Sequence, residues 1–480
     1  MVAEAKEEFQ TSEEHIPSIH LKEQHSSMTT QNLETDYLVI GSGAMGMAFS
    51  DELLTRNSSV RVIMVDRHAK PGGHWNDAYA HVTLHQPAAF YGVNSEDLGP
   101  GGTYLASGTE VLAYYERVLD KWLATGRLQY FPMCEYRGDA SFRSNLDERL
   151  EYRVKVRKKT VDSTYMKVEV PSIRPPQYEV APGVSLVPPN ELSKIRKPRD
   201  GYVIVGAGKT GMDAVLFLLD QGADPDHLTW IMPNDAWLID RGSFDPRHFV
   251  EKGATAKEIA GAGSIDELMG ALDSSGKLLR LDPDTWPTKY RCATVSQTEL
   301  DQLRRVENVV RMGRVVRIEP ASIVLEQGNI PTSLETLHVD CTADGLAKRE
   351  ARPIFEGDRI TLQAISVCQQ VFSASVIGYV ENRYDDEARK NALLQPVPHP
   401  EHARDFLRST AITNQNLENC SKAFPLWMLK SRLSVIHYTG ILKLLQVGLH
   451  EAKHQGKAKA NTQKLLAAEF PVTGSPRDLT

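Results

Sequence analysis

The apolar and polar positions fall into two blocks of the same design. In the first, Asp36-Tyr-Leu-Val-Ile40 is an apolar run short enough for a buried parallel strand, and it ends directly on glycine. From Ala44 to Leu54, small and apolar residues recur at helical spacing without a proline. Val60 to Val65 (VRVIMV) then predicts a second buried strand, which stops at Asp66. The second block repeats this order: a strand at Tyr202-Val-Ile-Val205, a glycine-rich turn, an apolar helix to Leu219 and a strand at Leu228 to Met232.

Between the blocks the pattern changes. Residues 67 to 105 carry little periodicity and many Gly, Pro, His and aromatic residues, the kind of long irregular segment that usually carries function. A helix follows with apolar positions Val111, Leu112, Tyr115, Val118 and Leu119. Leu150 to Val170 alternates in the manner of an antiparallel excursion with one solvated face. A proline-rich stretch, Ile173 to Pro189, leads to the second block. Beyond it, strands are predicted at Val315–Ile318 and Ser322–Leu325. Leu337–Cys341 with the turn Thr342-Ala343-Asp344-Gly345 is read as the return into the first domain. Helical patterns around Ala374 to Lys390 and Leu426 to His454 fill the C-terminal third.

The fold class expected is therefore α/β: two Rossmann-like dinucleotide-binding domains, the second inserted in the first, with a helical C-terminal region. Residues 1–35 are expected to be a mobile tail. Residues 36–195 and 335–480 form the two parts of one domain, and 196–334 the inserted one. A chain of 480 residues is long enough for two cores and a large cofactor.

Composition narrows the class of function. Hydrophobic residues make up 41% and charged residues 24%, the balance of a soluble globular enzyme. The formal net charge of -7 argues against general attraction to nucleic acid, which needs a concentrated positive surface. Five cysteines lie far apart with no Cys-x-x-Cys or Cys/His cluster, so neither structural zinc nor a redox cysteine pair is expected, and no metal site is assigned. Such cysteines suit a reducing compartment, where they pack as small apolar side chains, and a cytoplasmic location is expected. The N-terminal residues lack a basic n-region and an apolar h-region, and no apolar run approaches the ~20 residues of a membrane span.

The chemistry resides in the two glycine turns. Gly41, Gly43 and Gly46 stand at GxGxxG spacing, which lets the backbone turn tightly, approach a pyrophosphate and pack the following helix on its strand. The phosphates then sit at the positive helix N-terminus. Asp66 lies 20 positions past Gly46, where a carboxylate can accept hydrogen bonds from a ribose. Gly206, Gly208 and Gly211 repeat the turn, 165 positions on. After that unit's strand, Met232-Pro233-Asn234-Asp235 offers neither an immediate acid to favour NAD nor an immediate arginine to favour NADP. Lys209 and Arg241 are candidates for positive charge near a 2′-phosphate, and the choice of NADP or NAD stays open.

With GSGAMG, Asp66, Gly72-Gly73-His74-Trp75 and GAGKTG, the chain resembles the flavin-dependent monooxygenase superfamily with paired dinucleotide-binding domains. The likeness is good over about residues 36 to 240. It implies FAD on Gly41, Gly43, Gly46, Asp66, Gly73 and Trp75, and NADP or NAD on Gly206, Gly208, Lys209 and Gly211. It also implies NAD(P)H-dependent monooxygenation of a small organic molecule. The linker before the second turn lacks the Phe-x-Gly-x-x-x-His sequence typical of flavin-containing and Baeyer–Villiger monooxygenases. Where many relatives carry Thr-Asn near the flavin, this chain has Leu84-His85-Gln86-Pro87, and Gln86 offers a similar amide.

Two alternatives stand beside that activity: an FAD oxidase or dehydrogenase of an alcohol or polyol in specialised metabolism, and a non-catalytic flavin-binding regulator. His74, His81 and His85 each carry two readings, a general base near the flavin or a structural histidine bonded to its loop. His85 and Gln86 are the candidate catalytic pair.

Overall fold

The computed structural model describes residues 28–245, 255–343, 345–434, 437–438 and 441–470. Most of the expected N-terminal tail, residues 1–27, lies outside them, as does Asp344.

The first block forms as its pattern predicts. Strand β1 (Thr29–Ile40), helix α1 (Ala44–Arg56) and strand β2 (Val62–Val65) make a parallel unit with Tyr37 opposite Val62 and Ile40 opposite Val65. β1 starts earlier than Asp36, because its polar first half pairs along a later strand through backbone hydrogen bonds that need no apolar side chains. Helix α2 (Gly108–Ala124) opens on a capping box, with the Ser107 hydroxyl accepting from Glu110 N and the Glu110 carboxylate accepting from Ser107 N. It returns the chain to β3 (Leu128–Phe131), parallel to β2. A meander of β4 (Cys134–Gly138), β5 (Ser141–Ser144) and β6 (Leu150–Asp162) follows. The antiparallel excursion expected here is only half correct: β6 is antiparallel to β5 but runs parallel to β1 along its whole length, from Thr29 opposite Leu150 to Ile40 opposite Asp162. Alternation reports one solvated face, not strand direction.

The second block follows β7 (Val168–Glu169), β8 (Glu179–Val180) and β9 (Ser185–Val187). Strand β10 (Gly201–Val205), helix α3 (Lys209–Asp220) and strand β11 (Leu228–Ile231) repeat the parallel unit. A side sheet of β12 (Ala236–Asp240), β13 (Leu278–Leu279) and β14 (Lys289–Val295) carries helices α4 (Ala256–Gly261) and α5 (Ile265–Ser274). Helix α6 (Gln297–Leu303) leads to β15 (Val309–Val310), which pairs with β11. Strands β16 (Val315–Ile318), β17 (Ser322–Leu325) and β18 (Gly328–Pro331) form an antiparallel meander.

The expected return strand is a correction. Residues Thr336–Asp340 (β19) pair with β10 and β9, so they complete the second sheet, in the order β15-β11-β10-β19-β9. The chain passes through β20 (Gly345–Leu346) and β21 (Phe355–Glu356), and rejoins the first sheet at β22 (Arg359–Thr361), parallel to β6. β9 likewise places residues before 196 in the second sheet.

Helix α7 (Gln370–Arg383) then lies across α1. A Cβ on Gly378 would stand 2.9 Å from the Phe49 carbonyl oxygen, so only glycine permits this approach. The single helical pattern expected at Ala374–Lys390 is broken by Asp386, which caps a separate helix, α8 (Glu387–Leu393). Helices α9 (Ala403–Ala423) and α10 (Pro425–Lys430) and the helix Ile441–Glu469 complete the C-terminal region. No helix of the described residues is long and apolar enough to cross a membrane.

Candidate functional site

Both glycine turns have one geometry. Gly41 has φ +94° and Gly206 φ +124°, a region L side chains rarely adopt. A Cβ on Gly46 would lie 2.1 Å from Gly41 O, and one on Gly211 would lie 2.1 Å from Gly206 O, so the third glycine of each motif is required for helix to meet strand. Gly43 and Gly208 are the N-caps of α1 and α3; no side chain caps either helix, and no acid occupies either first turn. Each helix therefore offers the N–H groups of its first turn to an anion. A Cβ on Gly43 would lie 3.6 Å from the Cα of Gly73, while the space beside Gly208 is open.

Asp66 directly follows β2 and is buried. Its Oδ2 accepts from Ser42 N at 2.6 Å and Ser42 Oγ at 2.8 Å, and its Oδ1 accepts from His68 N at 2.8 Å and contacts His68 Nδ1 at 2.9 Å. Burial alone would raise the Asp66 carboxyl, but these hydrogen bonds outweigh it and hold the group below its ordinary range. His68 Nε2 reaches Asp77 Oδ2 at 2.9 Å, and the bond to Asp66 is the main cause that raises the imidazole above its usual value.

A cavity of about 640 Å³ opens over this turn, bordered by Gly41, Gly43, Asp66 and Gly73, and also by Trp75, His85, Gln86, Gln370, Lys209 and Asp213. The first glycine turn, the irregular segment after Asp66, the start of α7 and the start of α3 thus share one space. Trp75 is buried and donates from Nε1 to Tyr91 Oη at 2.7 Å. Gln86 Oε1 accepts from Gln369 Nε2 at 3.1 Å, tying the irregular segment to α7. His85 Nδ1 and Gln370 Oε1 are buried without a hydrogen-bond partner. Burial, reinforced by the Lys209 and Arg241 charges, pushes His85 down to about 4. His74 also borders the cavity, its ring centroid 5.2 Å from that of Trp75 in a tilted arrangement, and burial pushes it down to about 4. His81 does not border it: the ring stacks on Phe217 of α3 at 4.1 Å, a packing role between the two sheets.

The second turn contributes less to this cavity than its glycines suggest. Gly206, Gly208 and Gly211 lie outside the lining, while Lys209 and Asp213 border it. Lys209 Nζ is paired with Asp213 Oδ1, and Asp213 Oδ2 accepts from Tyr79 Oη at 2.7 Å. Arg241 donates from Nε to the His85 carbonyl at 3.0 Å and pairs with Glu299 at 2.7 Å. Asp235 is occupied by Arg311. Both candidates for a 2′-phosphate contact therefore hold internal partners.

One expectation about the cysteines is overturned. Cys134, Cys341 and Cys420 are free and buried, as scattered cysteines should be, but Cys292 and Cys368 form a disulfide across 76 positions, and Cys368 borders the cavity. No group of three or more His, Cys, Asp or Glu side chains among the described residues is placed to hold a metal ion.

Of the residues singled out from the sequence, Gly41, Gly43, Asp66, Gly73, His74, Trp75, His85, Gln86 and Lys209 border one cavity, and Gly46 lies outside its lining. His68, Tyr79, Asp213, Gln369, Gln370 and Cys368 border it too and were not expected there. Only Asp213 left a signal, its i+4 spacing from Lys209.

An α/β protein with two Rossmann-type sheets, each presenting an uncapped helix N-terminus, is thus defined by fold and site. The chain belongs to the family of a set of mycobacterial proteins. It is 52% identical over 395 residues to "Uncharacterized protein Rv2000" of Mycobacterium tuberculosis, an alignment that covers 79% of this chain and 73% of the relative. It shares the same identity and coverage with "Uncharacterized protein Mb2023" of Mycobacterium bovis. No family model matches. Among solved structures, cyclohexanone monooxygenase superposes with a TM-score of 0.47 at 16% identity, covering 89% of this chain and 98% of that one. Polycyclic ketone monooxygenase from Thermothelomyces thermophila gives 0.48 at 13%, covering 90% of each chain. Flavin-containing monooxygenase from Stenotrophomonas maltophilia gives 0.43 at 13%, covering 73% and 98%. These likenesses span most of the chain and assign it no activity.

Proposed function

We propose that the chain is an FAD-dependent oxidoreductase, and that it uses NAD(P)H to monooxygenate a small organic molecule. The observation that carries the reading is the uncapped N-terminus of α1 at Gly43, packed against Gly73, which borders the cavity shared with the start of α3. Gly41, Gly43 and Gly73 would hold the pyrophosphate, and Asp66 the ribose. Asp66 already accepts four hydrogen bonds, so a ribose hydroxyl would take the place of Ser42 Oγ, which has a second contact in Tyr130 Oη at 3.3 Å. Bound FAD would supply the two-electron chemistry and, in a monooxygenase, the activation of oxygen.

The chain's own residues do the rest. Trp75 and Tyr91 wall the cavity with aromatic surface and keep water out. Gln86, held by Gln369, and Gln370 present amide groups to a polar ring edge. The His85 ring is uncharged above about pH 4, and its partnerless Nδ1 would accept a proton or a hydrogen bond in the tautomer that carries the ring proton on Nε2. NAD(P)H would dock on the turn of Gly206, Gly208 and Gly211, with its pyrophosphate in the open space beside Gly208. A cytoplasmic location and a small-molecule substrate accord with this reading.

A second reading, an FAD oxidase or dehydrogenase of an alcohol or polyol, is favoured by one observation: Lys209 and Arg241 are engaged internally, while His85 Nδ1 stands open as a base. Anaerobic absorbance separates the two. Bleaching of the oxidised flavin band by NADPH or NADH supports the monooxygenase. A yellow protein that neither nucleotide bleaches, but an alcohol does, supports the second reading. A protein that neither contains nor takes up FAD overturns both.

A further inference from the structure

The Cys292–Cys368 disulfide joins two separate parts of the fold. Cys292 lies on β14 of the side sheet, and Cys368 lies two residues before α7. The register of β14 explains how they meet. Trp237 pairs with Tyr290 and Ile239 with Thr294, so β14 carries extra residues at this point and Cys292 leaves the ladder in a bulge. Both cysteines have φ +59°, a left-handed conformation uncommon for a residue with a side chain, and such outliers cluster at functional sites. Their Cα atoms are 6.4 Å apart, within the span of a disulfide.

The two cysteines differ in exposure. Cys292 is 4% exposed, whereas Cys368 is half-buried and borders the cavity beside Gln369 and Gln370. Thiol–disulfide exchange depends on which sulfur an attacking thiolate can reach. We propose that Cys292 and Cys368 are a reversible two-electron thiol–disulfide couple, opened from the cavity by a low-molecular-weight thiol that attacks Sγ of Cys368. The thiolate forms a mixed disulfide with Cys368 as the Sγ–Sγ bond breaks, and Cys292 leaves as a thiolate and takes a proton. A second thiol resolves the mixed disulfide. Two thiols thereby become one external disulfide, and their two electrons and two protons pass to the protein. Opening releases β14 from the segment leading to Gln369, whose amide holds Gln86 in the cavity. In a reducing compartment, disulfides are usually transient and either catalytic or redox-sensing, which suits a bond placed at a cofactor-sized cavity. The proposal does not depend on the bound cofactor.

The test counts thiols by mass. Native protein is treated with oxidised or reduced glutathione at neutral pH, quenched in acid, denatured and alkylated with iodoacetamide. Three alkyl groups are expected after oxidised glutathione, on Cys134, Cys341 and Cys420, and five after reduced glutathione. In the Cys292→Ser variant, native treatment with oxidised glutathione should place an adduct on Cys368. In Cys368→Ser, Cys292 should stay unmodified. Five alkyl groups under both conditions would overturn the proposal, as would three under both or an adduct confined to Cys292.

Discussion

A Cβ built on Gly73 would stand 2.9 Å from the Cα of Gly43, so the turn after Asp66 and the N-terminus of α1 touch backbone to backbone. Nothing larger than hydrogen fits at Gly73, and its φ of +57° adds a conformation that alanine adopts at a cost of about 1 kcal/mol or more. The Gly73→Ala variant should therefore push the two segments apart and lose bound flavin, read as the ratio of flavin to protein absorbance. Gly208→Val is the contrasting case. Its side chain enters open space at φ -76°, so flavin content and melting temperature should hold while reduction by NAD(P)H slows at least tenfold. A fully yellow Gly73→Ala protein would sink the assignment of the first turn, and unchanged reduction in Gly208→Val would sink that of the second.

Arg241 tests how the second site is built. Its guanidinium bonds to the His85 carbonyl and to Glu299, with only 11% of the side chain exposed. Removing it leaves the partly exposed Glu299 without that partner, so Arg241→Ala should destabilise the fold by about 1–3 kcal/mol in chemical denaturation. The preference between NADPH and NADH should change less than twofold. A tenfold swing toward NADH would instead mean that Arg241 turns outward to a 2′-phosphate.

These contrasts show where the sequence was legible. A glycine whose Cβ would strike a carbonyl, as at Gly46 and Gly211, can be replaced by nothing else, so spacing alone locates it. Asp66 was equally readable because it directly follows a strand. The strand that rejoins the first sheet was not. β22 is three residues, Arg-Ile-Thr, too short to carry a period, whereas the longer apolar run Leu337–Cys341 drew the assignment and belongs to the other sheet. Cys292 and Cys368 meet through a bulge in β14, and no spacing rule encodes a bulge. Gln369 and Gln370 enter the cavity only because the chain has already passed through both sheets.

The cavity histidines make a prediction about pH. His74 and His85 are both pushed down to about 4 by burial, against about 6.5 in an unfolded chain. Between those values the unfolded state binds protons that the folded state refuses, so stability falls as pH drops from about 6.5 to about 4. Each histidine adds up to about 1.4 kcal/mol per pH unit to the slope in that window. Asp51 has the opposite sign. Burial raises its carboxyl to about 6, so the folded state takes up a proton first and gains stability on acidification. His68, raised by Asp66, contributes stability in full below about 6.5, and that contribution is lost as pH rises through its folded value. Urea denaturation at several pH values between 7.5 and 4.5 should give a steep acid loss in the wild type. Replacing His74 and His85 with glutamine should flatten it, and the His85→Gln variant alone should remove about half of that change. An equal slope in the double variant would mean that both imidazoles are protonated in the folded protein, which would remove His85 as an unprotonated acceptor facing the cavity.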